Sequence, residues 1–158
     1  MTSVVVCDSG PLIALGRLDR LELLLALFQD VQVPRAVLAE CVLRPELADA
    51  KRIQSAVTTG LLRVCEAQPV RVDGLGAGES AAIGLAMEIG AGLLADDLAA
   101  RHHAQGLGLT VIGTMGVLVR AKRKGLVLAV RPLIEQLRAS GQRLSHAAVA
   151  EALSAAGE

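Results

Sequence analysis

The sequence predicts an α/β fold, three layers deep, with helices on both faces of a central, mainly parallel sheet. Short aliphatic or β-branched runs alternate with helical periodicity from one end of the chain to the other. The 158 residues are 53% hydrophobic and only 1% aromatic, with Phe28 the sole aromatic, so the core is built from Leu, Val, Ile and Ala, as in buried parallel strands covered by helices. No repeat, low-complexity run or linker divides the chain, which reads as one domain over 1–158.

Taken in order, Val4 to Cys7 is a β-branched strand ending at Asp8-Ser9-Gly10-Pro11, where Asp or Ser can cap a helix and Pro can open one. Leu12 to Leu18 and Leu21 to Phe28 read as short helices, Val31 to Val33 as a strand, and Pro34 opens a helix over Arg35 to Leu43. A helix from Glu46 to Thr58 stops at Gly60, Leu61 to Cys65 is a strand, and residues 66–78 form a loop. Glu79 to Ile89 is a helix ended by Gly90, and Gly92 to Ala95 is a strand that runs into Asp96-Asp97. The remainder reads as helix Leu98–Gln105, strand Leu109–Ile112, and helices Thr114–Lys124, Pro132–Ala139 and Ser145–Leu153, with Ser145 as the cap of the last.

Charge is unevenly distributed although the formal net charge is zero. Residues 1–97 carry a net −5, residues 98–144 a net +7 and the tail 145–158 a net −2. An acidic half beside a basic half suits a protein that handles a metal and a phosphodiester, which need opposite surroundings; the alternative is a solvated basic helix face. With no Trp or Tyr to stack on bases, any nucleic acid is held by charge and metal. Cys7, Cys41 and Cys65 lie far apart in apolar surroundings without zinc-ligand spacing and read as small buried hydrophobes. The longest uncharged stretch, His102 to Val119, contains two His, four Gly, Gln105 and two Thr and is no membrane span. The expectation is a reduced, cytoplasmic protein with no membrane partner.

Candidate chemistry concentrates on acids. Asp8 and Asp96 each follow a short strand, and in parallel sheets ligands gather at the carboxyl ends of strands, so the two are expected on one rim. For each, helix N-capping is the competing role. Asp97, one step nearer the helix, is the better-placed cap, so Asp96 is assigned to chemistry while Asp97 stays in the ligand set. Glu40 is the only charged residue between Arg35 and Arg44; it borders the Val37, Leu38, Cys41 stripe, which fits a ligand or a solvated edge equally. Glu79 shares a helical face with Ala82, Ile83, Ala86 and Met87, so an apolar stripe begins with a carboxylate; the competing reading is an acid favoured by the helix dipole. Clustered carboxylates repel one another unless a cation neutralises them. All-oxygen ligation selects Mg²⁺ or Mn²⁺, and two such ions about 3.5–4 Å apart activate water and stabilise a leaving oxygen. The chemistry these residues suit is phosphodiester hydrolysis.

The segments V-V-V-C-D-S-G-P-L-I-A-L from Val4, P-R-A-V-L-A-E-C-V from Pro34, G-A-G-E-S-A-A-I-G-L-A from Gly76 and G-A-G-L-L-A-D-D from Gly90 resemble the PIN-domain ribonucleases. V-I-G-T-M-G-V-L-V-R-A-K-R-K-G-L from Val111 is similar to the VapC-like toxin and PIN-like branch of that superfamily. The resemblance covers nearly the whole chain. It implies Mg²⁺- or Mn²⁺-dependent endoribonuclease activity, RNA as substrate and a small antitoxin protein as inhibitor. It carries over Asp8, Glu40, Glu79 and Asp96 as the catalytic and metal-binding acids, Asp97 as a further candidate ligand, and Ser9 as an aid to metal or water placement. It departs from the family's frequent Asp at the third acid, which is Glu79 here.

Arg101 and the group Arg120, Lys122, Arg123 and Lys124 are candidate phosphate contacts, with a solvated helix end as the alternative. His102 and His103 are expected to be exposed, and Gly74 to Gly78 reads as a turn before Glu79. The apolar helix Leu21–Phe28 packs internally or pairs two chains into a homodimer. The alternative function is a non-catalytic PIN- or Rossmann-like module that binds RNA or protein.

Overall fold

The computed structural model describes residues 3–158, which include the whole N-terminal strand; Met1 and Thr2 lie outside the described residues. The chain runs β1 (Val4–Cys7), α1 (Ser9–Leu18), α2 (Glu22–Leu27), β2 (Asp30–Pro34), α3 (Arg35–Cys41), α4 (Ala48–Thr58), β3 (Arg63–Cys65) and α5 (Ala77–Ile89). It continues through β4 (Gly92–Leu94), α6 (Leu98–Gly106), β5 (Val111–Ile112), α7 (Thr114–Arg123), α8 (Arg131–Ala139) and α9 (His146–Ala155).

All strand pairs are parallel, in the order β3-β2-β1-β4-β5, giving the three-layer α/β/α architecture. Parallel strands need crossover connections, and the helices that supply them cover the sheet. The central strand shows the result: Val5, Val6 and Cys7 are fully buried, so both of its faces are covered. Helix α5 packs on β1, β2 and β4, and α4, α7 and α8 pack against α1. The core is aliphatic, with Leu12, Leu15, Leu24, Ile53, Ile83 and Leu118 among its largest fully buried side chains. Each such side chain contributes about 1.5–3 kcal/mol on leaving water.

The strand order fixes the rim. From β1 the chain moves outward through β2 to β3, then returns through α5 to β4 on the other side of β1. The direction reverses between β1 and β4, and parallel sheets bind ligands in the crevice at such a point. Backbone pairing extends past both strands: the Asp8 amide donates to the Leu94 carbonyl at 2.9 Å, and the Ala95 amide to the Ile112 carbonyl at 3.0 Å. The backbone at Asp8 and at Ala95, the residue before Asp96, is therefore anchored to the sheet.

Local differences from the sequence expectation have physical causes. Helix α1 begins at Ser9 because Asp8 caps it, and α5 begins at Ala77 because Gly76, extended at φ −70° and ψ 167°, serves as its N-cap. The 61–65 strand narrows to three residues at the sheet edge. Met87 is 46% exposed while Ala82, Ile83 and Ala86 are buried, so the buried face of α5 stops before Met87. Of the 21–28 segment, Leu23, Leu24, Leu27 and Phe28 join the core and Leu25 faces outward. Among the described residues no helix is long and apolar enough to cross a membrane.

Candidate active site

Asp8 is the deepest acid of the rim, only 4% exposed at the end of β1. It is the N-cap of α1, and its Oδ1 accepts the Ser9 amide at 2.8 Å. Burial pushes its carboxyl up to about 6; the Ser9 hydrogen bond opposes this, and the nearby charges of Glu79, Glu40 and Asp96 raise it further. The same environment acts on the preceding residue, where burial and then Asp8 drive the Cys7 thiol well above its ordinary value. The acids from four separate segments thus share one electrostatic neighbourhood centred on Asp8.

Asp96 and Asp97 face different tasks. Asp97 is the N-cap of α6, its Oδ2 accepting the Ala100 amide at 3.0 Å. Asp96 lies against the start of α1, where a Cβ on Gly10 would stand 3.4 Å from its Oδ2. Its two oxygens are both held by Thr114: Oδ1 accepts the Thr114 amide at 2.7 Å and Oδ2 the Thr114 hydroxyl at 2.6 Å. Arg101 comes in beside them, its Nη1 donating to the Ala95 carbonyl at 2.9 Å. Gly113 makes this possible, since a Cβ there would lie 2.7 Å from Arg101 Nη1 and 3.0 Å from Asp96 Oδ1.

Glu40 and Glu79 meet at the opening turn of α5. Glu40 Oε1 accepts the Gly78 amide at 2.9 Å, and its carboxylate fills the space a Cβ on residue 78 would take, 2.6 Å from Oε1. Glu79 Oε2 turns back to the Gly76 amide at 3.4 Å. The amides of a helix's first turn have no intrahelical partner, which makes this turn a favourable seat for carboxylates.

Among the described residues no three acids close into a ready-made metal cage, because each is turned onto a hydrogen-bond donor of its own. The donor set nevertheless suits a hard divalent cation. Asp8 is buried and raised by three neighbouring carboxylates, and the ion pairs among the described residues use Asp19, Glu22, Asp30, Glu46, Glu66 and Glu158 instead. Carboxylate oxygens gathered around one buried acid are the ligand type that hard divalent cations take.

The other candidates are spread more widely. Ser9 opens α1 and offers its amide to Asp8. Lys122 Nζ donates to the Ala156 carbonyl at 2.7 Å and to Glu158 at 3.1 Å, and Arg123 donates to the Ala155 carbonyl at 3.2 Å. These two cations tie α7 to the end of α9. Lys124 is exposed and Arg120 is half-buried on the same helix end; His102 is exposed and His103 half-buried on α6. Residues that sequence reasoning passed over are Thr114, Gly78, Gly113 and Gly10. Nothing local marks them, because each acts on an acid from a distant segment.

Comparison with known proteins places a family model, described as DUF3368, a PIN domain, on residues 4–158. Among solved structures, a PilT N-terminus domain protein from the hyperthermophilic archaeon Sulfolobus solfataricus is 19% identical, with a TM-score of 0.47 over 75% of this chain and 92% of that one. No curated protein matches the chain.

Proposed function

The chain belongs to the PIN-domain family, and from that premise we propose that it is a metal-dependent endoribonuclease, the toxin of a toxin–antitoxin pair held in check by a small protein. The observation that carries this reading is the buried, electrostatically strained Asp8 at the β1/β4 crevice, with Glu40, Glu79 and Asp96 acting on it from three other segments.

In this reading Asp8, Glu40, Glu79 and Asp96 hold Mg²⁺ or Mn²⁺, while Asp97 is committed to capping α6. Divalent ions supply an activated water at neutral pH and neutralise charge on the leaving oxygen. Hydrolysis forms a bond from the water oxygen to phosphorus and breaks the ester bond, and the proton passes to the leaving oxygen. The chain's own residues orient the substrate. Arg101 keeps further N–H donors beyond the one given to Ala95 and can fork onto a phosphate next to Asp96. Ser9, next to Asp8 at the start of α1, would orient water in this reading. The basic 98–144 segment attracts the RNA backbone.

The test is cleavage of a structured and a single-stranded RNA with Mg²⁺, with Mn²⁺ and with chelator, for the parent and Asp8→Asn. Metal-dependent cleavage lost in the folded Asp8→Asn protein is the expected result. RNA binding without cleavage in every metal would replace this reading with that of a non-catalytic binding module. Co-expression with the product of an adjacent small reading frame tests the toxin role, the expected outcome being a stable, inactive complex.

A further inference from the structure

We propose that Thr114 is the positioning residue of the site: by gripping both oxygens of Asp96, it makes Asp96 rather than Asp97 the fourth metal ligand. The inference rests on the metal-dependent reading above and adds to it the device that selects between adjacent aspartates.

Asp96 sits in the short connection between β4 and α6, one residue past the backbone pairing that anchors Ala95. An aspartate there has two torsions to choose from and a neighbour, Asp97, with the same carboxylate. Asp97 is turned toward the Ala100 amide of its own helix, whereas Asp96 lies against the start of α1. Asp96 is fixed by a two-point contact from a residue 18 positions away, the amide at 2.7 Å and the hydroxyl at 2.6 Å. A single hydrogen bond leaves a carboxylate free to rotate about it; two donors on the two oxygens set its plane. Each oxygen accepts one proton here and keeps a further lone pair for a cation.

Thr114 is itself well held. It is the first residue of α7 and 3% exposed, with its amide among the first-turn groups that have no intrahelical acceptor. Branching at Cβ leaves its χ1 few rotamers, and the one adopted carries the hydroxyl onto Asp96. Gly113 leaves the carboxylate the room it occupies, since a Cβ there would stand 3.0 Å from Oδ1. Outer partners that orient metal ligands typically change metal affinity 10–100-fold when removed.

The experiment measures Mn²⁺ affinity by titration calorimetry and RNA cleavage at saturating Mn²⁺ for the parent, Thr114→Val, Thr114→Ser, Asp96→Asn and the double variant Asp96→Asn/Thr114→Val. Thr114→Val keeps shape and amide but removes the hydroxyl, and is expected to weaken Mn²⁺ binding about 10–100-fold. Thr114→Ser restores the donor and stays within about threefold of the parent. In the Asp96→Asn background Thr114→Val costs nothing more, because a residue that acts through Asp96 is silent once that carboxylate is gone. A folded Thr114→Val protein with parental affinity overturns the proposal. Equal loss in Thr114→Ser, or full additivity in the double variant, also overturns it by assigning the effect to packing. If Thr114→Val does not fold, the Ser variant and Thr114→Ala in the Asp96→Asn background decide by the same criteria. A parent that takes up no Mn²⁺ overturns the metal-dependent reading and this proposal together, whereas a binding parent with an unchanged Thr114→Val overturns this proposal alone.

Discussion

Replacing Asp8 by Asn should stabilise the protein in the absence of metal, although the same change is expected to abolish cleavage. The Asp8 carboxyl is raised from 3.8 to about 6, first by burial, against the Ser9 hydrogen bond, and then by Glu79, Glu40 and Asp96. That shift corresponds to roughly 3 kcal/mol of preference for the protonated form in the folded state. Between about pH 4 and 6 the folded state binds more protons than the unfolded one, so stability falls as pH rises through that window, and above it the folded state carries the full cost. Asparagine has nearly the same shape, keeps an oxygen for the Ser9 amide and carries no charge. In chelator at pH 7.5, Asp8→Asn is expected to be more stable than the parent by up to about 3 kcal/mol, and the two converge near pH 4. Urea denaturation followed by circular dichroism measures this; with slopes of about 1–3 kcal/mol per molar, the midpoint moves by about 1–3 M. Saturating Mn²⁺ is expected to reverse the order, because a ligand stabilises only the chain that binds it. An Asp8→Asn midpoint at or below the parent's at pH 7.5 in chelator would refute the reasoning that Asp8 is an uncompensated buried charge.

Three further predictions separate the roles of neighbouring residues. Asp97→Ala removes the cap of α6 and lowers stability by about 0.5–2 kcal/mol with cleavage retained, whereas Asp96→Asn lowers cleavage at least 100-fold with little change in melting temperature; equal cleavage by both would contradict the division of labour. Gly84→Ala places a Cβ 1.9 Å from the Gln68 carbonyl oxygen, so the 66–76 segment must move off α5, with an expected loss of about 1–3 kcal/mol in chemical denaturation. Glu158, held down to about 2 first by the Val130 amide and further by Arg131 and Lys122, contributes stability above the usual carboxylate range that is lost as pH falls toward 2. Glu158→Gln should therefore flatten the acid limb of the stability profile between about pH 4.5 and 2, read from melting temperatures across that range.

Much of the fold was legible because its signals are local. The alternation of strands and helices follows from side-chain periodicity, and parallel pairing follows from the crossover helices that periodicity reveals. Asp8 and Asp96 stood out because each ends an apolar strand. The limits were equally physical. Met87 continues the periodic stripe of α5, yet whether the stripe is covered depends on how far the sheet extends beneath it. Lys122 and Arg123 form a dense basic group in sequence, but the end of α9 folds back and occupies them.

The sequence by itself determined the elements, the aliphatic two-sided core and the placement of single acids at strand ends, since these depend on residues within one or two turns of each other. Only the tertiary structure decided the β3-β2-β1-β4-β5 order that brings Asp8 beside Asp96. It also set the contact of Glu40 with Gly78 across 38 positions and that of Asp96 with Thr114 across 18. Contacts of that kind depend on where whole strands and helices come to rest, and a glycine's missing side chain or a threonine's hydroxyl gains its meaning only from the distant carboxylate placed against it.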